Sequence, residues 1–463
     1  MLPESVPCKS RQSFIFGVRT PLWLLCLYLL TTISIAIWGP REYDNFNKES
    51  VIRYMAWVIL ALVIGFNIAV KTFVCPAFAW SSLKQSPKLE TLVLKILKIC
   101  IVICLIYSVI HLIDIFLKGN FNLSLNLGQK YIDYHTAKNE LHGNGVGAGA
   151  IRATPLEIIY LLLGFPRIIC MTWGVLYFNL LCRRYKIFLV IVLFLLIFIP
   201  VFLLGHQKVM ADFLIYFGTM FMIKMQNQST RFQRRVLGAL IISGCLFFVL
   251  CCTIQSQRYI SLGIDGLEIN EKLPEYTWYN PEHIIFRVLG TQIGLGVSTM
   301  LTAYLSAGYY SLSLCLQLPF VFTWGFSVFS PFAKIFYSLT GVNMMDAHYV
   351  SRMVEEFDVT GFAAWHTVFP FLAGDFTFPG VVVVLGVIAW IWGTCWLDIL
   401  YFRNPFSVVL FSVLNIGMIF IPSNSQLLWG VDSNIAFWII IFIWIRWRKK
   451  YNRQLAGVWR EQN

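Results

Sequence analysis

An all-α protein that crosses a membrane about ten to twelve times is what this chain predicts, on three observations. It is 58% hydrophobic, with a mean hydropathy of +0.70. Only 13% of its residues are charged, against roughly 25% in soluble globular domains. Its apolar residues also come in runs of about 15–25, the length of helix that crosses a ~30 Å hydrocarbon core. Lipid offers no hydrogen-bond partner, so every backbone group must bond within its own segment, and helices do this. A β-barrel would show alternating strands of ~10 residues instead.

Along the chain, Lys9, Arg11 and Arg19 precede PLWLLCLYLLTTISIAIWG, and charged REYDNFNKES follows without a small-residue cleavage pattern. The stretch 20–38 therefore reads as a first span rather than a cleaved signal. Further spans are expected near 52–74, 96–117, 156–181, 187–204, 209–223, 236–254, 380–400, 406–422 and 434–447. The twelve cysteines lie mostly inside these runs (Cys26, Cys100, Cys104, Cys170). They offer neither a disulfide framework nor a CxxC metal pair.

The net charge of +13 raises the question of nucleic acid, and its placement answers it. The basic clusters are the N-terminus, the Lys71–Lys88 loop, CRRYK at 182–186, KMQNQSTRFQRR at 224–235 and RWRKKYNR at 446–453. They fall at alternate gaps between spans, so the positive-inside rule puts them, and both termini, in the cytoplasm. The surplus charge is orientation, and no nucleic acid is required. One apolar stretch is left over, 309–330. A single crossing there would leave the basic tail on the wrong side, and Pro319, Gly325 and Pro331 interrupt it. It is expected to re-enter or lie at the interface, or to pair with a weaker span near 284–306, because broken backbone is tolerated where protein buries it. The chain 1–463 then forms one membrane domain, with an external loop at 118–155 and a large external region at 256–379.

Candidate chemistry lies on that external side. The glycine run NELHGNGVGAGAIRATP (139–155) lacks the strand and helix that a phosphate cradle needs, and reads as a loop or lid. Asp133, His135 and His142 match no metal-ligand spacing, so neither metal nor other cofactor is expected. Lys208 in GHQK, Arg258 in QSQRYISLG and Arg287 in EHIIFRVLGTQIG are expected at one depth, with Arg152 assigned to the same group from the 118–155 loop. That depth is where a lipid-linked phosphate lies, and the arginine fork binds phosphate oxygens in pairs. A snorkelling lysine meeting lipid phosphate is the plainer reading of Lys208. The segment 341–366 has Met345, Tyr349, Met353 and Phe357 at helical spacing, as in an amphipathic surface helix. It leads into WHTVFPFLAGDF (365–376). His366 titrates near neutrality and can accept a proton from a sugar hydroxyl, with Asp375 orienting it or serving as the base. Equally, Trp365 and His366 can be an interfacial belt with Asp375 capping the next helix.

Several pieces together resemble the O-antigen polymerase (Wzy-type) family of oligosaccharide repeat-unit polymerases. WHTVFPFLAGDFTFPGVVVVLGVIAWIWG is similar to the family's Asp-Phe-Gly-x-x-Gly entry into a span: Asp375, Phe376 and Gly380 match, while Thr377 stands where the first glycine is usual. TAYLSAGYYSLSLCLQLPF (302–320) resembles its Tyr/Gly-rich external helix, and LLGHQKVMADFLIYF its Gly-x-Arg or Gly-x-Lys hairpin. The resemblance implies a GT-C-like glycosyltransferase in a bacterial plasma (inner) membrane, active on the periplasmic face. It would move a growing glycan whole from undecaprenyl pyrophosphate onto the non-reducing end of a fresh lipid-linked repeat unit. Lys208, Arg258, Arg287 and Arg152 would hold the pyrophosphate, and His366 or Asp375 would serve the acceptor hydroxyl. Without an Asp-x-Asp pair in the external loops, metal independence is expected. Partners would be the lipid-linked oligosaccharides, membrane lipids, a chain-length regulator and a flippase. The rivals are an O-antigen ligase, a GT-C enzyme using Glu42 and Asp44 in the first external loop, and a flippase. A flippase would usually carry internal repeats, and none is evident.

Overall fold

The computed structural model describes residues 17–73, 87–117, 162–203, 208–225, 229–359, 366–402 and 404–462. The helices are α1 (Thr20–Trp38), α2 (Lys48–Thr72), α3 (Pro87–Leu117), α4 (Gly164–Leu176), α5 (Arg183–Phe198, continued by a π-helical turn Ile199–Leu203), α6 (Lys208–Met225) and α7 (Thr230–Ser261). The short helices α8 (Ile284–Leu289), α9 (Thr291–Thr299), α10 (Gly308–Cys315), α11 (Ser330–Thr340) and α12 (Tyr349–Phe357) follow. The chain ends with α13 (Val368–Phe402), α14 (Pro405–Ile419), α15 (Gln426–Trp429) and α16 (Val431–Gln462). Two three-residue strands, β1 (Arg41–Tyr43) and β2 (Thr277–Tyr279), pair antiparallel with Glu42 opposite Trp278.

Among the described residues, six helices are long and apolar enough to cross a membrane: α1, α2, 89–113 of α3, α5 with its π turn, α7 and α13. The chain is therefore an all-α polytopic membrane protein. The expected ten to twelve spans are not reached by this measure, for physical reasons. The helices α4 and α14 are apolar but have 13 and 15 residues, and α6 carries Lys208, Asp212 and Lys224 within 18.

Helix starts follow local chemistry. Asn47 Oδ1 accepts the Ser50 N–H (3.0 Å) at the start of α2. Asn404 Oδ1 accepts the Phe406 N–H (3.0 Å) at α14, where Pro405 has no N–H that would need an acceptor. The centre of the bundle is the pairing of α2 with α13. A Cβ on Gly65 would sit 2.0 Å from the Gly386 carbonyl oxygen, so only glycine allows the two backbones to meet this closely. Phe66 then packs edge-on against Trp392, centroids 5.3 Å apart. At the periphery α7 turns Ile241, Ile242, Leu246 and Val249 outward, as a lipid-facing helix must.

The bundle has two distinct ends. At one, Lys224 Nζ donates to the Val175 carbonyl (2.8 Å), Trp173 Nε1 donates to the Pro405 carbonyl (2.8 Å), and Asp398 of α13 faces Arg448 of α16. This is the basic end. At the other, the segment after α1 is tied by its strand pair into residues 277–279, and Tyr43 stacks on Tyr310 at 4.4 Å. Arg41 lies over the rings of both Tyr43 and Tyr279. This is the loop-rich end. Its apolar stretches are broken. The expected weaker span at 284–306 is α8 and α9, separated at Gly290 (φ 74°), then a π-helical turn Met300–Tyr304. The stretch 309–330 leaves helix after Cys315 and passes through turns before α11. The amphipathic α12 buries Tyr349 and Met353, while Met345 falls ahead of it. Inside α13, Thr377 has φ 61° and ψ 161°, so two helices, 368–376 and 378–402, meet at a kink.

Candidate functional site

At the loop-rich end, the first turns of α4, α6 and α16 converge on a group of charges. Gly164 makes the approach possible: a Cβ there would lie 2.2 Å from the Asp432 carbonyl oxygen. One turn further, Arg167 of α4 forms an ion pair with Asp432 of α16, both side chains largely shielded (15% and 26% exposed). The third contributor is α6, where Lys208, Asp212 and Tyr216 follow at spacings of four and so share one face. Lys208 is exposed and Tyr216 is buried. Asp212 lies between them, within electrostatic reach of Lys208, Asp432 and Arg167. Its Oδ1 is buried and has no hydrogen-bond partner among the described residues. The polar line continues inward: Asn415 Nδ2 donates to Thr219 Oγ1 (3.1 Å), and Trp392 Nε1 donates to Asn415 Oδ1 (2.7 Å).

Two cations beside two carboxylates can hold a phosphate group that comes to them, and can exchange a proton with it or its neighbour. Ionisable residues at bilayer level are costly and mark substrate or proton paths. Buried polar atoms normally find partners, and among the described residues Asp212 Oδ1 is the one buried carboxylate oxygen left without a hydrogen-bond partner.

The residues expected from sequence take separate places. Lys208 belongs to this group. Arg258 is buried at the end of α7, where its Nη1 and Gln255 Nε2 both donate to Tyr304 Oη (3.2 and 2.8 Å). Arg287 is 65% exposed and pairs with Glu282 at 2.5 Å. Lys208, Arg258 and Arg287 thus have different partners in the fold: Asp212, Tyr304 and Glu282. Arg152, with Asp133, His135 and His142, lies outside the described residues.

Asp375 does not cap the following helix. Its Oδ1 accepts from Thr323 Oγ1 (2.6 Å) and the Gly325 N–H (2.7 Å), and its Oδ2 from the Val328 N–H (2.9 Å). The carboxylate thus pins the 323–328 turn, and the helix that follows is capped instead by Thr377 Oγ1, which accepts the Gly380 N–H (3.3 Å). His366 is buried near His348, whose Nδ1 accepts the Val350 N–H (3.1 Å) and caps α12. Burial, and then His366 nearby, push the His348 imidazole down to about 3. The histidines are thus part of the joint between α12 and α13.

Three members of the site, Arg167, Asp212 and Asp432, escape the sequence reading. The signal was present: each is an isolated charge in an apolar stretch, GFPRIICMTWG, VMADFLIYFG and GVDSNIAFW. Compared with known proteins, the chain matches no family model, no curated protein and no solved structure.

Proposed function

We propose that the chain is a membrane glycosyltransferase that lengthens a surface polysaccharide. It moves a glycan from undecaprenyl pyrophosphate onto a second lipid-linked repeat unit, in a bacterial plasma membrane with the basic end in the cytoplasm. The observation that carries this reading is the Arg167, Lys208, Asp212 and Asp432 group at the opposite end, set among the first turns of three helices. A lipid pyrophosphate is already a good leaving group, so the protein's main task is to hold negative charge that grows as the sugar–oxygen bond breaks. Arg167 and Lys208 are placed for that, and Arg167 takes the role first expected of Arg258 and Arg287. Exposed Phe320, Phe322 and Trp324 at the same end offer apolar surface to the prenyl chains.

The test is the glycan ladder of a deletion strain complemented with variants. Loss of the ladder with single repeat units still attached supports a polymerase. Arg167→Ala and Lys208→Ala should each reduce polymer by about 100-fold with protein still inserted, and Arg287→Ala should leave the ladder intact. A transporter of lipid-linked glycans is the second reading, favoured by the break at Thr377, since discontinuous helices are common in carriers. Deletion of a transporter would leave no attached repeats at all.

A further inference from the structure

We infer that Asp212 is the catalytic proton acceptor for the incoming sugar hydroxyl, an assignment that rests on the transferase reading above. Four observations lead to it.

The first is a contrast among carboxylates. Asp375 accepts three hydrogen bonds, Asp398 accepts one from Ser407 and faces Arg448, and Asp432 is paired with Arg167. Asp212 Oδ1 accepts none from a described residue. A carboxylate whose lone pairs are already filled by donors is a poor base, whereas one held without donors keeps them for a substrate proton. The second is place. Asp212 lies beside the two cations that would receive the departing diphosphate, so proton removal and charge capture share one site. The third is access. Asp212 remains partly exposed as a residue although Oδ1 is covered, and the next turn outward on its face ends at exposed Lys208. The fourth is elimination: His366 is enclosed with His348 in a joint of α12 and α13, on elements that bring none of the four charges.

The step balances without a further reagent. The acceptor hydroxyl oxygen attacks the anomeric carbon of the donor glycan as its proton passes to the Asp212 carboxylate. The anomeric carbon–oxygen bond to the diphosphate breaks, and its electron pair leaves on the phosphate oxygen, facing Arg167 and Lys208. The products are the lengthened lipid-linked glycan and the free polyprenyl pyrophosphate. Asp212 then returns its proton to water.

The experiment uses the purified full-length protein in phospholipid vesicles with a synthetic polyprenyl-pyrophosphate-linked repeat unit, and reads polymer on a gel. Asp212→Asn should lower turnover by at least about 100-fold, with KM within about threefold. Asp212→Glu should retain more activity than Asp212→Asn, and formate should restore Asp212→Ala by about tenfold or more by supplying the missing base. Turnover of Asp212→Asn within about threefold of the parent overturns the assignment. So does a loss that formate does not restore and that Asp212→Glu shares in full. If the Asn variant fails to accumulate, Asp212→Glu against Asp212→Gln, which differ only in the base, decides it: equal activity overturns the assignment. A parent protein that makes no polymer overturns the transferase reading itself. A parent and an Asn variant that both make polymer remove Asp212 alone.

Discussion

The two ends of the bundle each hold aspartate and arginine in shielded surroundings, and they use them differently. At the basic end Asp398 is 4% exposed, with Ser407 Oγ donating to it at 2.9 Å, Trp444 Nε1 donating to the same hydroxyl at 3.0 Å, and Arg448 Nε 3.7 Å away. The set locks α13, α14 and α16 together. At the loop-rich end Asp212 has charges around it, and its Oδ1 has no donor among the described residues. Asp375, also at the loop-rich end, falls with Asp398 in this respect, because three donors hold it. A burial figure alone would not separate these aspartates. The count of hydrogen bonds does, and it divides carboxylates that fasten the fold from one that is held ready.

That division can be broken by measurement. The largest effect is expected at Asp375→Ala, which strands the Gly325 and Val328 N–H groups and leaves Thr323 Oγ1 with Ser327 Oγ as its partner. The loss should be about 2–4 kcal/mol, read as thermal stability in detergent and as faster proteolysis in 320–329. Asp398→Ala should follow at about 2–3 kcal/mol, because Arg448 keeps its charge in a largely enclosed place after losing its partner. A pH titration sharpens the same point at His348. Its folded-state value of about 3 lies below the ordinary 6.5, so the unfolded chain takes the proton first as pH falls. Stability should be level above about pH 6.5 and should decline below it by up to about 1.4 kcal/mol per pH unit. His348→Asn, which keeps a cap acceptor without titrating, should flatten that slope, and an unchanged slope would assign it to another group. Asp212→Asn should change stability by less than about 1 kcal/mol in either direction, in contrast to Asp375 and Asp398. A loss as large as theirs would erase the distinction. The smallest effect is expected at Arg287→Ala, under about 0.5 kcal/mol, because its pair with Glu282 stands in solvent.

Much of the architecture was legible because lipid leaves few choices. Apolar runs gave the helices, and proline and glycine gave the broken stretches between 284 and 340. What sequence did not give was azimuth. Lys208, Arg258 and Arg287 follow apolar runs in similar fashion, yet α6, α7 and α8 carry them to Asp212, Tyr304 and Glu282 respectively. Asp375 finds its donors about 50 residues earlier in the chain, a pairing that no local pattern announces. Asp212, Arg167 and Asp432 are legible as single charges in apolar runs, but only the packing of α4, α6 and α16 brings the three runs together. Thr377 is an instructive departure. It stands where the resembled pattern has glycine, and it is the position whose φ and ψ, 61° and 161°, glycine adopts freely and threonine only under strain.

The kink at Thr377 also bears on how the chain is assembled. The 25 residues of 378–402 make a rod of about 37 Å, ample for a bilayer core of ~30 Å, whereas the nine of 368–376 reach only about 13 Å. The longer piece can be threaded into lipid by itself during synthesis. The shorter one cannot span lipid alone and is held by contacts with the rest of the fold, among them the three hydrogen bonds that Asp375 accepts from the 323–328 turn, so the two halves of one apparent rod are secured in different ways.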